Sequence, residues 1–355
     1  MLKFSKLAVV ALATISLSCS KYVVLEESDL SAAAKSGNSK SQNFNVDFQF
    51  KTSFNIKGGG EGKSEISAYD KNTGKLFIVN VEDNEISVMN ISDLSNISEG
   101  TSIALPSGAP DSVAINKGKL AVAMEADNKQ DSGSILIYDT DSQILLNSYV
   151  VGALPDMVTF SPNGRYIVSA NEGEPNDEYT LDPEGTISII DLEMETLNTL
   201  DFNAFNSQEA DLESQGFRVF GPGANLAMDV EPEYVAISQD NKYAWITLQE
   251  NNGVAKVNLE TKTITDIFPL GFKDYSLPGN EINPSDKDEG DMVLSSWPAF
   301  GMYQPDAIDY VKINGMDLVI TANEGDARDY DGFSEEERVD DLTLDVTVFP
   351  NYLDL

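Results

Sequence analysis

The sequence predicts an all-β fold, a β-propeller built from four-stranded antiparallel blades. Three observations lead to this prediction: a sequence unit recurs, its period matches one blade, and no convincing amphipathic helix separates the units. Each unit has a Pro-acid pair, an apolar run, a polar turn, a second apolar run and a glutamate. The Pro-acid pairs are Pro110-Asp111, Pro155-Asp156, Pro232-Glu233 and Pro305-Asp306, and the glutamates are Glu125, Glu172, Glu250 and Glu324.

The length of the unit supports the propeller over other repeat folds. Pro110 and Pro155 are 45 residues apart, the length of one blade of four short strands. The later prolines are more widely spaced, which predicts insertions at about 201–228 and 273–301. An earlier unit that lacks the proline contains Glu82, so about five blades are visible. The fifth blade has no clear third and fourth strands, and we expect the chain to be a truncated form of a longer protein.

Composition narrows the range of chemistry. The 355 residues carry 59 acidic against 23 basic side chains, a formal charge of -36, with no histidine and one cysteine. These counts exclude an intrachain disulfide, zinc sites made of cysteine and histidine, and Ser-His-Asp catalysis. So acidic a surface argues against nucleic-acid binding. Carboxylate, amide and hydroxyl oxygens remain, and these are the ligands of hard cations such as calcium.

The amino terminus has the form of an export signal. Lys3 and Lys6 precede an apolar stretch from Leu7 to Leu17, which is too short to span a bilayer. We interpret residues 1–18 as a signal peptide and Cys19 as the acylated residue of a lipoprotein. Residues 19–43 are then a flexible, lipid-anchored tether, and 44–355 form the propeller. Simple secretion is the alternative; on the lipoprotein interpretation the protein is exported to the outer membrane or cell surface of a bacterium.

One glycine-rich stretch nearly matches a nucleotide-binding loop. The segment KGGGEGKS lacks the first glycine of that pattern, and the residues after it have the character of strands. We therefore expect no nucleotide partner.

Blade geometry places the recurring acids on one face. In a blade with strands a, b, c and d, the b–c loop and the d–a connection lie on the same side of the disc. The recurring glutamates lie in the b–c loops, and the Pro-acid pairs lie at the d–a connections. This placement predicts a ring of carboxylates around one mouth of the channel. Crowded like charges require a cation, a cationic partner or protonation. We expect a protein or polymer ligand on this acidic face.

Two near-identical loops, at residues 171–174 and 323–326, provide the best calcium ligands. Each offers an amide and two carboxylates around a glycine, a set that suits a flexible site of six to eight oxygens. The alternative is that these loops hydrogen-bond their own backbones. The predicted metal ligands are Glu125, Asn171, Glu172, Glu174, Asp177, Asn323, Glu324 and Asp326.

Several segments of the chain resemble a known family. The segments SANEGEPND, FRVFGPGANLAMDVEPEYVAIS, GFKDYSLPGNEINPSDKDEGD, WPAFGMYQPDAI and TANEGDARDYDGFSEEERV are similar to choice-of-anchor I propellers and to mesenchyme-specific cell-surface glycoproteins. The repeat itself resembles YVTN-type propellers. The resemblance implies a secreted or surface-anchored propeller of seven blades that continues beyond the end of this chain, with a circumstantial association with calcium.

Two functions are open. The leading expectation is a non-catalytic, calcium-binding surface propeller that presents an acidic face. The alternative is a metal-dependent phosphoesterase, because relatives are labelled alkaline-phosphatase-like. The phosphatases that they resemble use a cysteine near their metals, and this chain has none after Cys19. In that alternative, Arg328 binds phosphate.

Overall fold

The computed structural model describes residues 66–285 and 293–347, together with 50, 52–54, 56, 64 and 349. The predicted signal peptide, Cys19, the tether as far as residue 43 and residues 57–63 of the glycine-rich segment lie outside the described residues.

Four successive antiparallel sheets of four or five strands make up most of the described chain, and their strands pair largely in chain order. The first unit has an additional short strand; it contains β1 (Ser67–Asp70), β2 (Lys75–Asn80), β3 (Glu85–Asn90), β4 (Ser98–Glu99) and β5 (Ile103–Ala104). The second contains β6 (Pro110–Asn116), β7 (Lys119–Met124), β8 (Ser132–Asp139) and β9 (Leu145–Ala153). The third contains β10 (Met157–Phe160), β11 (Tyr166–Asn171), β12 (Thr186–Asp191) and β13 (Thr196–Leu200).

The fourth unit contains β14 (Pro232–Ile237), β15 (Tyr243–Leu248), β16 (Gly253–Asn258) and β17 (Thr263–Pro269). Three shorter sheets follow, β18 (Phe272–Asp274) with β19 (Phe300–Met302), β20 (Pro305–Ile313) with β21 (Met316–Asn323), and β22 (Asp329–Tyr330) with β23 (Phe333–Ser334). The helical segments are 3₁₀ turns at Asn203–Gln208 and Val339–Asp341, α1 (Glu209–Glu213) and α2 (Leu226–Asp229). Apart from the second 3₁₀ turn, these helices fall in or at the edge of the first predicted insertion.

The units are arranged as the blades of a propeller. The first strands of consecutive units contact one another, in the order β1, β6, β10, β14 and β20. Four hydrophobic clusters fill the four spaces between neighbouring blades. This arrangement confirms the predicted all-β propeller, with a fifth blade represented by β20 and β21.

The alternation of side chains along each second strand explains how a blade fills two of these spaces. On β7, Leu120 and Val122 pack towards the first blade, whereas Ala121 and Ala123 pack towards the third. Successive side chains of a strand point to opposite faces, so a strand buried on both faces is apolar throughout.

Close packing between blades accounts for the recurrence of proline and glycine. A Cβ atom added to Gly133 would lie 2.4 Å from Cδ of Pro155, and one added to Gly185 would lie 2.6 Å from Cδ of Pro232. Each glycine lies at or just before the start of the third strand of its blade, and each proline leads into the next blade. The proline ring therefore occupies space that only glycine leaves free.

Candidate metal centre

Three glutamates from two blades meet on one side of the propeller. Glu172 follows β11, Glu250 lies two residues after β15, and Glu233 belongs to β14. One carboxylate oxygen from each lies within 4.8 Å of the other two. The end of a second strand and the start of a first strand lie on the same side of the disc, which we call the mouth face. The three residues form the three-glutamate cluster.

The spacing of these oxygens fits a single hard cation. Calcium binds oxygens at about 2.3–2.6 Å, so two ligands on one ion can be up to roughly 5 Å apart. Glu250 is only 7% exposed, yet its Oε2 atom has no hydrogen-bond partner. Buried polar atoms are almost always satisfied. An unsatisfied carboxylate oxygen within such a cluster is therefore suited to a cation.

A neighbouring amide fixes one of the three acids. With its amide nitrogen turned towards Glu233, Gln249 donates to both carboxylate oxygens, at 3.1 and 2.5 Å. These contacts fix the side chains of two blade segments without bringing a basic side chain between them.

The electrostatics follow from burial and crowding. Burial raises the pKa of Glu172, and the charges of Asp156, Glu174, Glu231 and Glu250 raise it further. Burial likewise raises the pKa of Glu233, with added repulsion from Glu250 and Glu172. The pKa of Glu250 is raised by burial as well. A cation in the cluster would reverse this effect, because it stabilises the ionised carboxylates.

Further acids of the Pro-acid pairs surround the cluster. Burial raises the pKa of Asp156 to about 6, and Asp306, Glu174 and Glu250 contribute. Burial raises the pKa of Asp111 to about 8, with repulsion from Glu125 and Asp156, and its Oδ2 atom has no hydrogen-bond partner. We refer to Asp111, Asp156, Asp306 and the three-glutamate cluster together as the carboxylate mouth.

The predicted ligands are distributed unevenly over this face. Within the described residues, Glu172 is the predicted ligand that belongs to the three-glutamate cluster. Glu125 and Glu174 share Lys129, whose Nζ lies 3.9 Å from a carboxylate oxygen of each. The other four acidic and amide candidates from the two loops are exposed: Asp177, Asn323, Glu324 and Asp326.

Asn171 faces the interior of the third blade. Its Nδ2 atom donates to Ser188 Oγ at 2.9 Å and to Thr186 Oγ1 at 3.1 Å. Its Oδ1 atom accepts from Ser169 Oγ at 3.1 Å. The side chain thus links β11 and β12, and these contacts occupy the amide that was expected to bind metal.

The cluster includes two residues that were not in the predicted ligand set. Glu233 and Glu250 were both visible as members of the repeat, one in a Pro-acid pair and the other as a recurring glutamate. The ligand set was instead chosen from acids close together in sequence. The repeat was the signal that could have identified both residues.

Arg328 is buried beside the cluster as a counter-ion. Its Nη1 atom lies 2.7 Å from Asp229 Oδ1, and its Nη2 atom lies 3.2 Å from Glu231 Oε1 and 2.6 Å from the Asp229 carbonyl oxygen. Burial lowers its pKa, but the two carboxylates outweigh burial and raise it overall. Neither Asp229 nor Glu231 was singled out from the sequence as the partner of this arginine.

Comparison with known proteins decides the family. A family model for the choice-of-anchor I domain matches residues 65–354. The chain belongs to the choice-of-anchor I family. This membership confirms the resemblance found in the sequence and suggests a surface-associated propeller on a bacterial cell.

This choice-of-anchor I protein was also compared with curated proteins and with solved structures. No curated protein matches the chain. Among solved structures, it is similar to hydrazine synthase of Kuenenia stuttgartiensis at 12% identity and a TM-score of 0.41, covering 73% of this chain and 83% of that one. It is also similar to the WD40 repeats of RRP9 at 9% identity and a TM-score of 0.44, covering 74% and 60%. It is similar as well to U3-55K, at 9% identity and a TM-score of 0.44, covering 74% of this chain and 61% of that one.

Helix length bears on membrane association. Among the described residues, none of the helices is long and apolar enough to cross a membrane.

Proposed function

We propose that this choice-of-anchor I protein is a non-catalytic surface propeller that binds calcium at its carboxylate mouth. The observation that carries the proposal is the three-glutamate cluster, with one oxygen from each residue within 4.8 Å of the others and an unsatisfied oxygen on Glu250. An effective dielectric constant near 20 gives roughly 4 kcal/mol of repulsion between two full charges 4 Å apart. A divalent cation removes this repulsion, whereas the cation-free protein must hold protons there.

Calcium is the cation that this donor set favours. All three ligands are carboxylates on connecting segments or at a strand end, and calcium accepts six to eight oxygens with flexible geometry. Magnesium requires a tighter octahedral arrangement and gives up its water reluctantly. Water and the neighbouring acids of the carboxylate mouth would complete the coordination.

The acidic surface around the site gives the protein a second role in this proposal. With 59 acidic against 23 basic side chains, the protein attracts cationic proteins and polymers over distances of about 10 Å at moderate ionic strength. Calcium held at the mouth could also bridge to an anionic polymer through its remaining coordination positions.

Acylation of Cys19 would hold the propeller at the outer membrane or cell surface. A Cys19→Ser variant tests this part of the proposal, because it should move from the detergent phase to the medium. Unchanged partitioning would contradict lipid anchoring without affecting the proposal for the cation site.

The phosphoesterase alternative needs additional features. Such an enzyme uses a pair of metals about 4 Å apart and an open position for the substrate. Arg328, the residue expected to bind phosphate, has both terminal nitrogens on Asp229 or Glu231. The proposed binding role therefore agrees better with the contacts of this arginine.

The decisive experiment compares calcium binding in the wild type and in Glu233→Gln/Glu250→Gln. At a calcium concentration 100 times the dissociation constant, binding contributes about 2.7 kcal/mol. For a domain of this size we expect the melting temperature of the wild type to rise by about 5 °C. The double variant should lose most of this shift. It should also melt higher than the wild type in chelator, because two crowded buried acids become neutral.

The matched control is Asp177→Asn/Glu324→Gln, which removes two exposed acids of the same face. This control should keep the calcium shift and the melting temperature in chelator. Equal wild-type melting temperatures in calcium, magnesium and chelator, with no metal found by mass spectrometry, would contradict the proposal.

A further inference from the structure

The segment 328–335, which we call the strap, follows the fifth blade and contacts three separate parts of the mouth face. It contains β22 and β23. Each set of contacts includes one that lies within two residues of one of the three glutamates, or one that reaches the backbone of that glutamate through a single side chain. The three contacts differ in chemistry.

The first contact is with the loop that carries Glu172. Tyr330 Oη donates to Glu174 Oε1 at 3.2 Å, and the backbone N–H of Gly332 donates to the Asp177 carbonyl oxygen at 2.8 Å. The Tyr179 ring packs edge-on against Tyr330 and Phe333, with ring centroids 5.6 and 5.3 Å apart. Glu174 is two residues from Glu172.

The fit of this contact is close. A Cβ atom added to Gly332 would lie 2.1 Å from the Glu178 carbonyl oxygen, so the two backbones approach as only glycine allows. Burial raises the pKa of Tyr330, and the charges of Glu231, Glu174 and Glu172 raise it further, which agrees with a hydroxyl beside the cluster.

The second contact is with the segment that leads into β14. Arg328 pairs with Asp229 and with Glu231, and Glu231 is two residues before Glu233. Arg328 is 3% exposed. Asn251, the residue after Glu250, donates to Asp229 Oδ2 at 2.9 Å and accepts from the Glu231 N–H at 3.1 Å.

The third contact reaches Glu250 itself. Glu335 Oε1 lies 2.7 Å from Arg218 Nη2, and Arg218 Nη1 donates to the Glu250 carbonyl oxygen at 3.1 Å. The other oxygen of Glu335 accepts from the Arg328 backbone N–H at 3.2 Å. Both partners of the Arg218–Glu335 ion pair are at most 8% exposed in their side chains.

We infer that Tyr330, Arg328 and Glu335 are positioning residues that hold the three glutamates at the spacing of the proposed cation site. The inference rests on the proposed function, because it assigns the strap to that same site. Residues that orient metal ligands from outside contribute about 10–100-fold to metal affinity. Thermodynamic linkage makes the effect reciprocal, so cation binding tightens the strap on the mouth face.

The test uses Tyr330→Phe and Glu335→Gln, with Tyr69→Phe and Glu336→Gln as matched controls. Tyr69 is 49% exposed on β1, and Glu336 is an exposed neighbour within the same acidic run. Isothermal titration should show calcium affinity about tenfold weaker in Tyr330→Phe and Glu335→Gln. The controls should match the wild type. Glu335→Asp, which keeps the charge, should recover part of the loss.

Hydrogen exchange separates positioning from a purely structural role. Calcium should slow amide exchange across 328–335 in the wild type but not in Glu233→Gln/Glu250→Gln. Wild-type calcium affinity in both strap variants, together with unchanged exchange on adding calcium, would overturn the strap inference and leave the cation site intact. A wild type that binds no calcium would overturn both, and this outcome is visible before any strap variant is made.

Discussion

Asp70 and Asp191 are 2% and 1% exposed, and Glu233 and Glu250 are 8% and 7% exposed, yet the pKa values of the two pairs move in opposite directions. The first pair ends β1 and β12 on the side of the a–b and c–d turns, which we call the turn face. The second pair lies on the mouth face. Burial raises the pKa in both pairs, more strongly in the second, and in the first pair the hydrogen-bond donors around each carboxylate reverse its effect.

On the turn face each carboxylate has several donors. Asp70 accepts from Thr140 Oγ1 of the next blade at 2.6 Å, and from Thr73 and the backbone N–H of Asn72. Asp191 accepts from Arg165 through two nitrogens, at 3.1 and 2.8 Å. These donors stabilise the ionised form by more than burial destabilises it. Both carboxylates therefore serve as structural connections.

On the mouth face the neighbours of each carboxylate are largely other carboxylates. Arg328 neutralises Asp229 and Glu231, and Lys129 lies near Glu125 and Glu174. The three-glutamate cluster contains an unsatisfied oxygen. Buried carboxylates that are all paired point to structure, whereas unpaired carboxylates next to paired ones point to an exchangeable ligand. Acids with strongly shifted pKa values likewise tend to cluster at functional sites.

The largest effect that we expect from this comparison is the loss of a turn-face acid. Asp191→Asn leaves Arg165 without its two-nitrogen partner and weakens the bonds from the Glu193 and Met194 backbone N–H groups. Hydrogen bonds to charged groups contribute about 1.5–3 kcal/mol, so we expect the free energy of unfolding to fall by about 2–3 kcal/mol. Urea denaturation measures the change.

Glu193→Gln is the control for this variant, because Glu193 also contacts Arg165 but its side chain is 68% exposed. Exposed ion pairs contribute at most about 1 kcal/mol, so this change should be small. Equal losses in the two variants would show that the turn face does not depend on buried pairing.

The fold could be predicted from the sequence more fully than the site. Period-2 apolar runs such as that of β7, separated by turns, and the Pro-acid repeat are local signals that survive in one sequence. They predicted the blades. The family resemblance agreed with them.

The site could be predicted only in part, because it is assembled from distant segments. Glu172 was predicted from a local run of acids, but Glu233 and Glu250 lie 61 and 78 residues further along the chain. Local spacing cannot show which acids of a ring are buried, or that Asn171 turns inward. It also cannot show that Arg328 meets Asp229, 99 residues away.

A second prediction concerns how stability depends on pH in chelator. The folded pKa values of Asp111 and Asp156 are about 8 and about 6, above the ordinary value of 3.8. Ionisation of these groups therefore destabilises the folded state, and stability should increase as pH falls from about 8 towards 4. Asp70 and Asp191 have lowered pKa values, so their contribution is lost only below about pH 4.

Asp111→Asn/Asp156→Asn should reduce the slope of the pH profile between about 4 and 8, measured as the melting temperature in chelator. The control Asp141→Asn/Glu195→Gln removes the same charge from exposed positions and should keep the slope of the wild type. A slope that both double variants reduce equally would assign the pH dependence to the net charge of -36 and not to the mouth.

The smallest effect that we expect is the energetic coupling between the two faces. The contacts that shift the pKa of Asp191 come from Arg165, Met194 and Glu193, and those that shift the pKa of Glu250 come from Arg328, Asp326 and Glu233. The two sets share no residue. Substitutions at separated sites without shared partners usually add within about 0.3–0.5 kcal/mol.

A double-mutant cycle of Asp191→Asn and Glu250→Gln in chelator should therefore give a coupling energy below about 0.5 kcal/mol. The calcium-induced shift in melting temperature should likewise be the same in Asp191→Asn as in the wild type. A coupling energy above about 1 kcal/mol would mean that the blades transmit the charge state of the mouth to the turns. The turn face would then belong to the cation response and could no longer be treated as an independent structural support.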